Sequence, residues 1–426
     1  MKLSQFNNYV FTQENLFIYN SLKQGVLRLD GDYKKEIEAI LESTEKASFL
    51  SKELRDNLSK GGMLIEDDAD EIKYIEVANR IADYSNDVFT LTIAPTMKCN
   101  FRCPYCYEKN IEHKTMSDPV ISKTIDFIEE IHKQYRFLNI AWYGGEPLLA
   151  IDIIKHISEK IIELFGTNYS SSLVTNGYLL SQELAMELER LKIKQIQVTI
   201  DGPPEVHNKL RKLPNNEDTF FKILSNVKQA IEITNEIVIT IRVNTDKKNI
   251  NSVSDILPYL QEFDINNNDR VHLYLAPVDN INNTCNPNEC FSSSEFAEEQ
   301  MKFISDNYAK GYNFVHLPKC NIGICGAVSL NSIIIDASGD FYKCWDDVGD
   351  KKENIGNVFE PLKLTTKLVK WLSYDYVDDE CRSCSLLPVC MGGCPNSRLK
   401  TGKKTCISFK YHAKEMIELL YDLYKK

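Results

Sequence analysis

From residue 89 onward, short apolar runs alternate with amphipathic stretches. The runs are 89–96 (FTLTIAPT), 138–145 (LNIAWYGG), 171–177 (SSLVTNG), 194–202 (KQIQVTIDG), 236–245 (EIVITIRVNT) and 270–277 (RVHLYLAP). Between them lie helix-period segments at 118–136, 152–166, 181–193, 219–234 and 253–263. Six β-rich runs separated by helices predict an α/β fold with a parallel sheet or partial barrel. Such folds place their active sites at the C-terminal strand ends. Upstream, residues 7–29 predict a short hairpin and the strand-like GVLRLD, followed by helices at 34–44 and 48–60 and the apolar MLI after Gly61-Gly62. Strands plus short helices in about 80 residues fit a small winged-helix-like module. Beyond 285 the rhythm is lost. The expected organisation is a module at 1–88, a barrel at 89–284, an irregular bridge at 285–318, and a Cys-rich, loop-rich region at 319–426 that closes in a helix (408–426).

Composition narrows the class. The chain has 426 residues, 43% hydrophobic and 26% charged, enough for two or three domains. Its formal charge of −11 argues against a general nucleic-acid binder. No run approaches the 18 apolar residues of a membrane span, and MKLSQFNNYVF lacks the pattern of a targeting peptide. A cytoplasmic protein with no membrane partner is expected. Thirteen Cys are then a strong signal, because disulfides are disfavoured in that compartment and clustered thiols suggest metal. They form a triplet, a loose pair (Cys285, Cys290, expected as free thiols) and eight between 320 and 406.

The triplet is Cys99-x3-Cys103-x2-Cys106, directly after the first barrel strand. Three thiolates this close suit one face of a four-iron cubane and leave the fourth iron open. A zinc site or disulfides remain alternatives on spacing alone.

With Tyr105 in the position before Cys106, the triplet resembles the radical S-adenosylmethionine (SAM) superfamily. The resemblance runs in order through Trp142-Tyr-Gly-Gly-Glu-Pro147, Ser172-Leu-Val-Thr-Asn-Gly177, Ile200-Asp-Gly-Pro203 with His207, Asn208 and Arg211, and Ile241-Arg-Val-Asn244. It implies a partial (β/α)6 radical SAM barrel. The open iron is expected to chelate the methionyl end of SAM. Gly144 and Gly145 would admit the ligand close to backbone. Glu146 would accept from the ammonium, and Ser172 and Asn176 would meet ribose or the methionyl end. Arg211 or Arg242 would pair with the carboxylate, and Tyr105 would lie near adenine. Asp201, with His207 and Arg211, reads either as part of this site or as a structural polar cluster.

The later cysteines resemble the SPASM extension of radical SAM enzymes that act on peptides and proteins. Two further [4Fe–4S] clusters are implied, three in all. Cys320, Cys325, Cys344 and Cys394 would hold the first. Cys381, Cys384, Cys390 and Cys406 would hold the second. The N-terminal module resembles the peptide-recognition element of peptide maturases, which usually adds a leader peptide to a strand edge. Trp345 stands where the related sulfatase-maturating enzymes carry an Asp. The function implied is a maturase that forms an intrapeptide cross-link, a Cys thioether first, in a leader-bearing precursor, with a flavodoxin- or ferredoxin-type electron donor. Carbon–carbon or carbon–oxygen cross-linking, sulfatase maturation and a non-enzymatic iron–sulfur electron carrier are the alternatives.

Overall fold

A computed structural model of the chain describes residues 1–424 apart from 43–46, 107, 109–110, 267, 279–285, 324 and 376. The described residues form two compact units. One comprises Met1–Asp83, Ser292–Cys325 and Tyr374–Lys426; the other comprises Tyr84–Phe291 and Gly326–Ser373.

The first unit begins with β1 (Lys2–Leu3), β2 (Asn7–Phe11), β3 (Asn15–Asn20) and β4 (Val26–Asp30). The last three make an antiparallel sheet in the order β2-β3-β4. The expected hairpin is thus present. Helices α1 (Gly31–Glu42) and α2 (Lys52–Lys60) follow, then β5 (Leu64–Ile65), which pairs with β1, and α3 (Glu71–Tyr84). Alternation along β3 and β4 sends Leu16, Ile18 and Leu29 into a core with Ile37, Leu54 and Leu58.

The second unit carries the expected repeat. Its strands and helices are β6 (Val88–Thr96), α4 (Asp118–His132), β7 (Phe137–Gly144), α5 (Ile151–Phe165), β8 (Tyr169–Thr175), α6 (Gln182–Arg190), β9 (Ile193–Thr199), α7 (Pro204–Leu210), α8 (Phe220–Ile233), β10 (Val238–Thr245), α9 (Leu257–Glu262) and β11 (Val271–Pro277). All six strands are parallel, each paired with the next in sequence. Leu91, Ile93, Ile140, Trp142, Leu173, Val198 and Ile241 are essentially buried, as expected of strands covered on both faces.

Two features went unforeseen. The stretch read as an irregular bridge contains α10 (Ser293–Tyr308), a full helix opened by a Ser292/Glu295 capping box. The Cys-rich region then contributes β12 (Ser332–Ile335), β13 (Asp340–Tyr342) and β14 (Gly356–Asn357), which extend the barrel sheet. β12 lies parallel to β6, giving the order β11-β10-β9-β8-β7-β6-β12-β13-β14. The chain finishes through α11 (Thr366–Leu372), α12 (Asp379–Arg382), α13 (Leu387–Cys390), α14 (Pro395–Thr401) and α15 (Phe409–Tyr424). Among the described residues, no helix is long and apolar enough to cross a membrane.

Candidate functional site

The loop carrying Cys99, Cys103 and Cys106 leaves the C-terminal end of β6, and the ends of its neighbours pin it. The Gly145 N–H donates to Thr96 O at 3.1 Å and the Glu146 N–H to Lys98 O at 2.8 Å. A Cβ at Gly145 would sit 2.4 Å from Lys98 O, and one at Gly144, whose φ is +113°, would sit 2.3 Å from Thr96 O. The two glycines therefore let the β7 end press against the base of the cysteine loop. The return of the loop is tied by the Met97 N–H to Lys114 O (2.7 Å) and the Met116 N–H to Pro95 O (2.9 Å).

Glu146 is fully buried and braces the strand ends. Its carboxylate accepts from Thr175 Oγ1 (2.7 Å), the Asn176 N–H (2.7 Å) and the Leu148 N–H (3.1 Å). Burial raises its pKa, and these donors pull it back down. Asn176 continues the chain of contacts: its Nδ2 donates to Asn100 Oδ1, inside the cysteine loop, at 2.7 Å. Asn100 was not singled out beforehand; it sits between ligand candidates and has no spacing signature of its own.

A second buried network approaches from β9. The Tyr105 hydroxyl donates to the Asp201 carboxylate and accepts from Arg211 Nη1 at 2.8 Å. Asp201 is fully buried; it also accepts the Asn244 N–H at 3.2 Å and has Arg211 at 3.8 Å. The Asp201 N–H donates to His207 Nδ1 at 3.3 Å, and His207 Nε2 meets Thr219 Oγ1 at 3.1 Å. The guanidinium of Arg211 lies 5.7 Å from the Phe101 ring centre, and its buried Nε has no hydrogen-bond partner among the described residues. Tyr105, Asp201 and Arg211 are thus in direct contact. Arg242 stands one step away, its Nε donating to Asn244 Oδ1 at 2.8 Å. Ser172 is set apart, within β8, with its hydroxyl 3.4 Å from Ile140 O.

Burial pushes the Cys99 thiol up to about 12 and the Cys106 thiol up to about 11. Cys103 is raised by burial as well, with Arg211 opposing. Without a cation these thiols stay protonated near neutrality, so metal loading has to release protons. The Phe101 N–H, 3.3 Å from Cys99 Sγ, is oriented to hydrogen-bond the sulfur. Glu108, two residues past the triplet, is a buried carboxyl that burial lifts to about 7.

Cys344 belongs to the barrel unit, while Cys320, Cys325 and Cys394 belong to the other. Its thiol points toward Asp346 Oδ2 at 3.8 Å, and the adjoining Trp345 ring packs on Tyr143 with centres 4.1 Å apart. In the other unit, Cys381, Cys384, Cys390 and Cys406 line one pocket together with Lys404 and Lys410. Asp378 caps α12 by accepting the Cys381 N–H at 2.8 Å. Cys320 and Cys381 pack against a shared core of Phe6, Ile75, Leu387 and Met391. The four thiols around one pocket fit a four-iron cluster, in which each sulfur binds its own iron. Among the described residues, no three or more His, Cys, Asp or Glu side chains converge on a point that would hold a single metal ion. Cys290, expected as a free thiol, is instead disulfide-bonded; Cys285 lies outside the described residues.

Residues 93–250 match the family model described as the radical SAM superfamily. An uncharacterized protein of Methanocaldococcus jannaschii is 30% identical over 178 residues, 41% of this chain, which spans about half (56%) of that protein. A cysteine-type anaerobic sulfatase-maturating enzyme of Clostridium perfringens is 24% identical over 348 residues, covering 72% of this chain and 89% of that enzyme. Among solved structures, Streptococcus suis SuiB bound to precursor peptide SuiA superposes with a TM-score of 0.56 at 14% identity, covering 96% of this chain and 98% of that one.

Proposed function

We propose that this chain, whose residues 93–250 match the radical SAM superfamily model, is a radical SAM peptide maturase that closes an intrapeptide cross-link, a Cys thioether first, in a leader-bearing precursor. The observation that carries the proposal is the cysteine loop held at the parallel-strand ends by Gly145, Glu146 and Asn176. Cys99, Cys103 and Cys106 would hold a [4Fe–4S] cluster by three of its irons, with SAM on the fourth. So loaded, the site would supply one-electron chemistry for abstracting a hydrogen atom from the substrate.

The chain's own residues shape that chemistry. Arg211, buried and with its Nε unpartnered among the described residues, suits the SAM carboxylate. Tyr105 and Asp201 hold the guanidinium in place. The pocket of Cys381, Cys384, Cys390 and Cys406 would hold one auxiliary cluster. The resemblance of the sequence alone assigns Cys320, Cys325, Cys344 and Cys394 to another. A shared fold along 96% of the chain with a structure that contains a precursor peptide supports a peptide substrate. The three-stranded N-terminal sheet, ending on β4, suits the addition of a leader strand.

A second reading is sulfatase maturation. Similarity along 72% of the chain favours it, as does the Asp346 carboxylate 3.8 Å from Cys344 Sγ, although Trp345 takes the position next to the cysteine.

Anaerobic incubation with SAM and dithionite should release 5′-deoxyadenosine from the unmodified protein. The triple variant Cys99→Ala/Cys103→Ala/Cys106→Ala should release none; persistence there would refute the assignment. Mass spectrometry of a co-expressed precursor then separates the readings. Loss of two hydrogens with a blocked thiol marks a thioether, the same loss with a free thiol marks a carbon–carbon or carbon–oxygen link, and an aldehyde marks sulfatase-type maturation.

A further inference from the structure

Arg242 is a barrel cation for which the fold supplies no anion. Along β10, Ile239, Ile241 and Val243 are buried, while Thr240, Arg242 and Asn244 between them are half-buried. Tyr143 of β7, Gln197 of β9 and Tyr274 of β11 are half-buried as well. Arg242 Nε donates to Asn244 Oδ1 at 2.8 Å. Its Nη1 stands 3.5 Å from the Tyr274 hydroxyl, which in turn donates to Gln197 Oε1 at 2.9 Å. Burial raises the Tyr143 hydroxyl and the Asp201 carboxyl, and the Arg242 cation is among the charges that oppose both shifts. The guanidinium therefore lies near the ends of β7 and β9 as well as β11. Asp201 is taken by Arg211 at 3.8 Å, and no carboxylate among the described residues forms an ion pair with Arg242. Asn244 and Tyr274 are neutral. They aim the guanidinium and leave its charge and its remaining N–H donors unanswered.

We propose that Arg242 binds a carboxylate of the peptide substrate and so selects which stretch of the precursor enters the barrel. The proposal rests on the reading of the substrate as a peptide. A charge drawn out of water is costly unless an opposite charge meets it. Asp201 obeys that rule by keeping Arg211 beside it. An arginine with a purely structural role at this depth would take a carboxylate from the fold in the same way. Arg242 takes only neutral partners, and these hold its planar fork in one orientation, the arrangement that meets an incoming carboxylate with two parallel hydrogen bonds. SAM carries a carboxylate too, but Arg211 is the cation in contact with Tyr105 of the cysteine loop. The contacts of Arg242 run the other way, to β11 and through Tyr274 to β9, which leaves it for a second anion. An acidic side chain and a free peptide terminus present the same group, and suitable peptides separate them.

The test uses the cluster-loaded protein with SAM and without reductant, so that nothing turns over. The probes are acetyl-Ala-Ser-Ala-Glu-Ala-amide, its Gln counterpart, and the Gln peptide with a free carboxyl terminus. Binding is measured by isothermal titration calorimetry. The Glu peptide or the free-terminus peptide should bind about tenfold more tightly than the capped Gln peptide, and the one that gains identifies the source of the carboxylate. Arg242→Gln should erase the preference. Arg242→Lys, which keeps the charge and loses the fork, should retain part of it. Equal binding of all the peptides, binding of none, or a preference that survives Arg242→Gln would overturn the proposal. So would a comparable fall in the SAM affinity of Arg242→Gln, read by equilibrium dialysis, because the guanidinium would then serve the cofactor's carboxylate. If the unmodified protein releases no 5′-deoxyadenosine with dithionite, the enzymatic reading fails, yet the peptide comparison still decides the carboxylate site.

Discussion

The substitution Glu146→Gln separates a brace from a ligand contact. In the fold, Oε2 accepts the Asn176 N–H at 2.7 Å, while Oε1 accepts both Thr175 Oγ1 at 2.7 Å and the Leu148 N–H at 3.1 Å. A glutamine keeps one acceptor oxygen and turns the other position into an amine. The least costly orientation leaves the oxygen on Thr175 and Leu148 and faces the amine toward the Asn176 N–H, two donors with nothing between them. One charge-assisted bond is lost and a buried N–H goes unpaired, so about 2–3 kcal/mol of stability should disappear. The urea midpoint should therefore fall without SAM present and with an unchanged slope. Thr175→Val, which removes one donor, should cost about 1 kcal/mol. The two changes should not add, because they break one network. Since Asn176 also holds Asn100 in the cysteine loop, iron retention should drop in parallel. If the urea midpoint of Glu146→Gln is unchanged while the KM for SAM rises tenfold or more, the carboxylate serves the ligand's ammonium and the bracing argument is wrong.

Gly145→Ala should reduce bound iron without unfolding the sheet, since its Cβ would meet Lys98 O at 2.4 Å and displace the cysteine loop; iron analysis beside circular dichroism checks this. Glu108 carries the pH dependence. Burial lifts it from an ordinary 4.5 to about 7, so the folded metal-free protein holds its proton more tightly than the unfolded chain. The stabilisation is complete below about 4.5 and is lost as pH rises through about 7, roughly 3 kcal/mol at most. Glu108→Gln should flatten that decline in urea titrations across the interval, and an equally steep decline in the variant would contradict it. Because Cys99 and Cys106 are held near 12 and 11, cluster assembly should release protons and proceed further at pH 8.5 than at pH 7. Equal iron uptake at both would count against protonated thiols. Arg211→Met, which strips the buried Asp201 of its cation, should cost about 3–5 kcal/mol, read by thermal denaturation.

Much of the site was legible beforehand because its residues lie close together in sequence or at the ends of strands with a plain period. The six parallel strands follow from runs of apolar residues, and the cysteine triplet from local spacing. The chain also spelled out the α10 helix through its capping box, yet the absence of an apolar strand nearby disguised it as linker. β12 was overlooked for a different reason: Ser-Ile-Ile-Ile is too short to declare its partner, and its pairing with β6 joins residues more than 200 apart.

Sequence alone therefore determined the barrel repeat, the order of the motifs and the identity of the clustered thiols, since these depend on period, spacing and side-chain chemistry. Only tertiary structure decided what the polar residues at the mouth hold. Glu146, Tyr105, Asp201 and Arg211 find their partners between strands and loops far apart in the chain, and a buried charge must take whichever partner the fold brings within reach. Tertiary structure likewise gathered Cys381, Cys384, Cys390 and Cys406 around one pocket, because that convergence follows from folding and not from spacing along the chain.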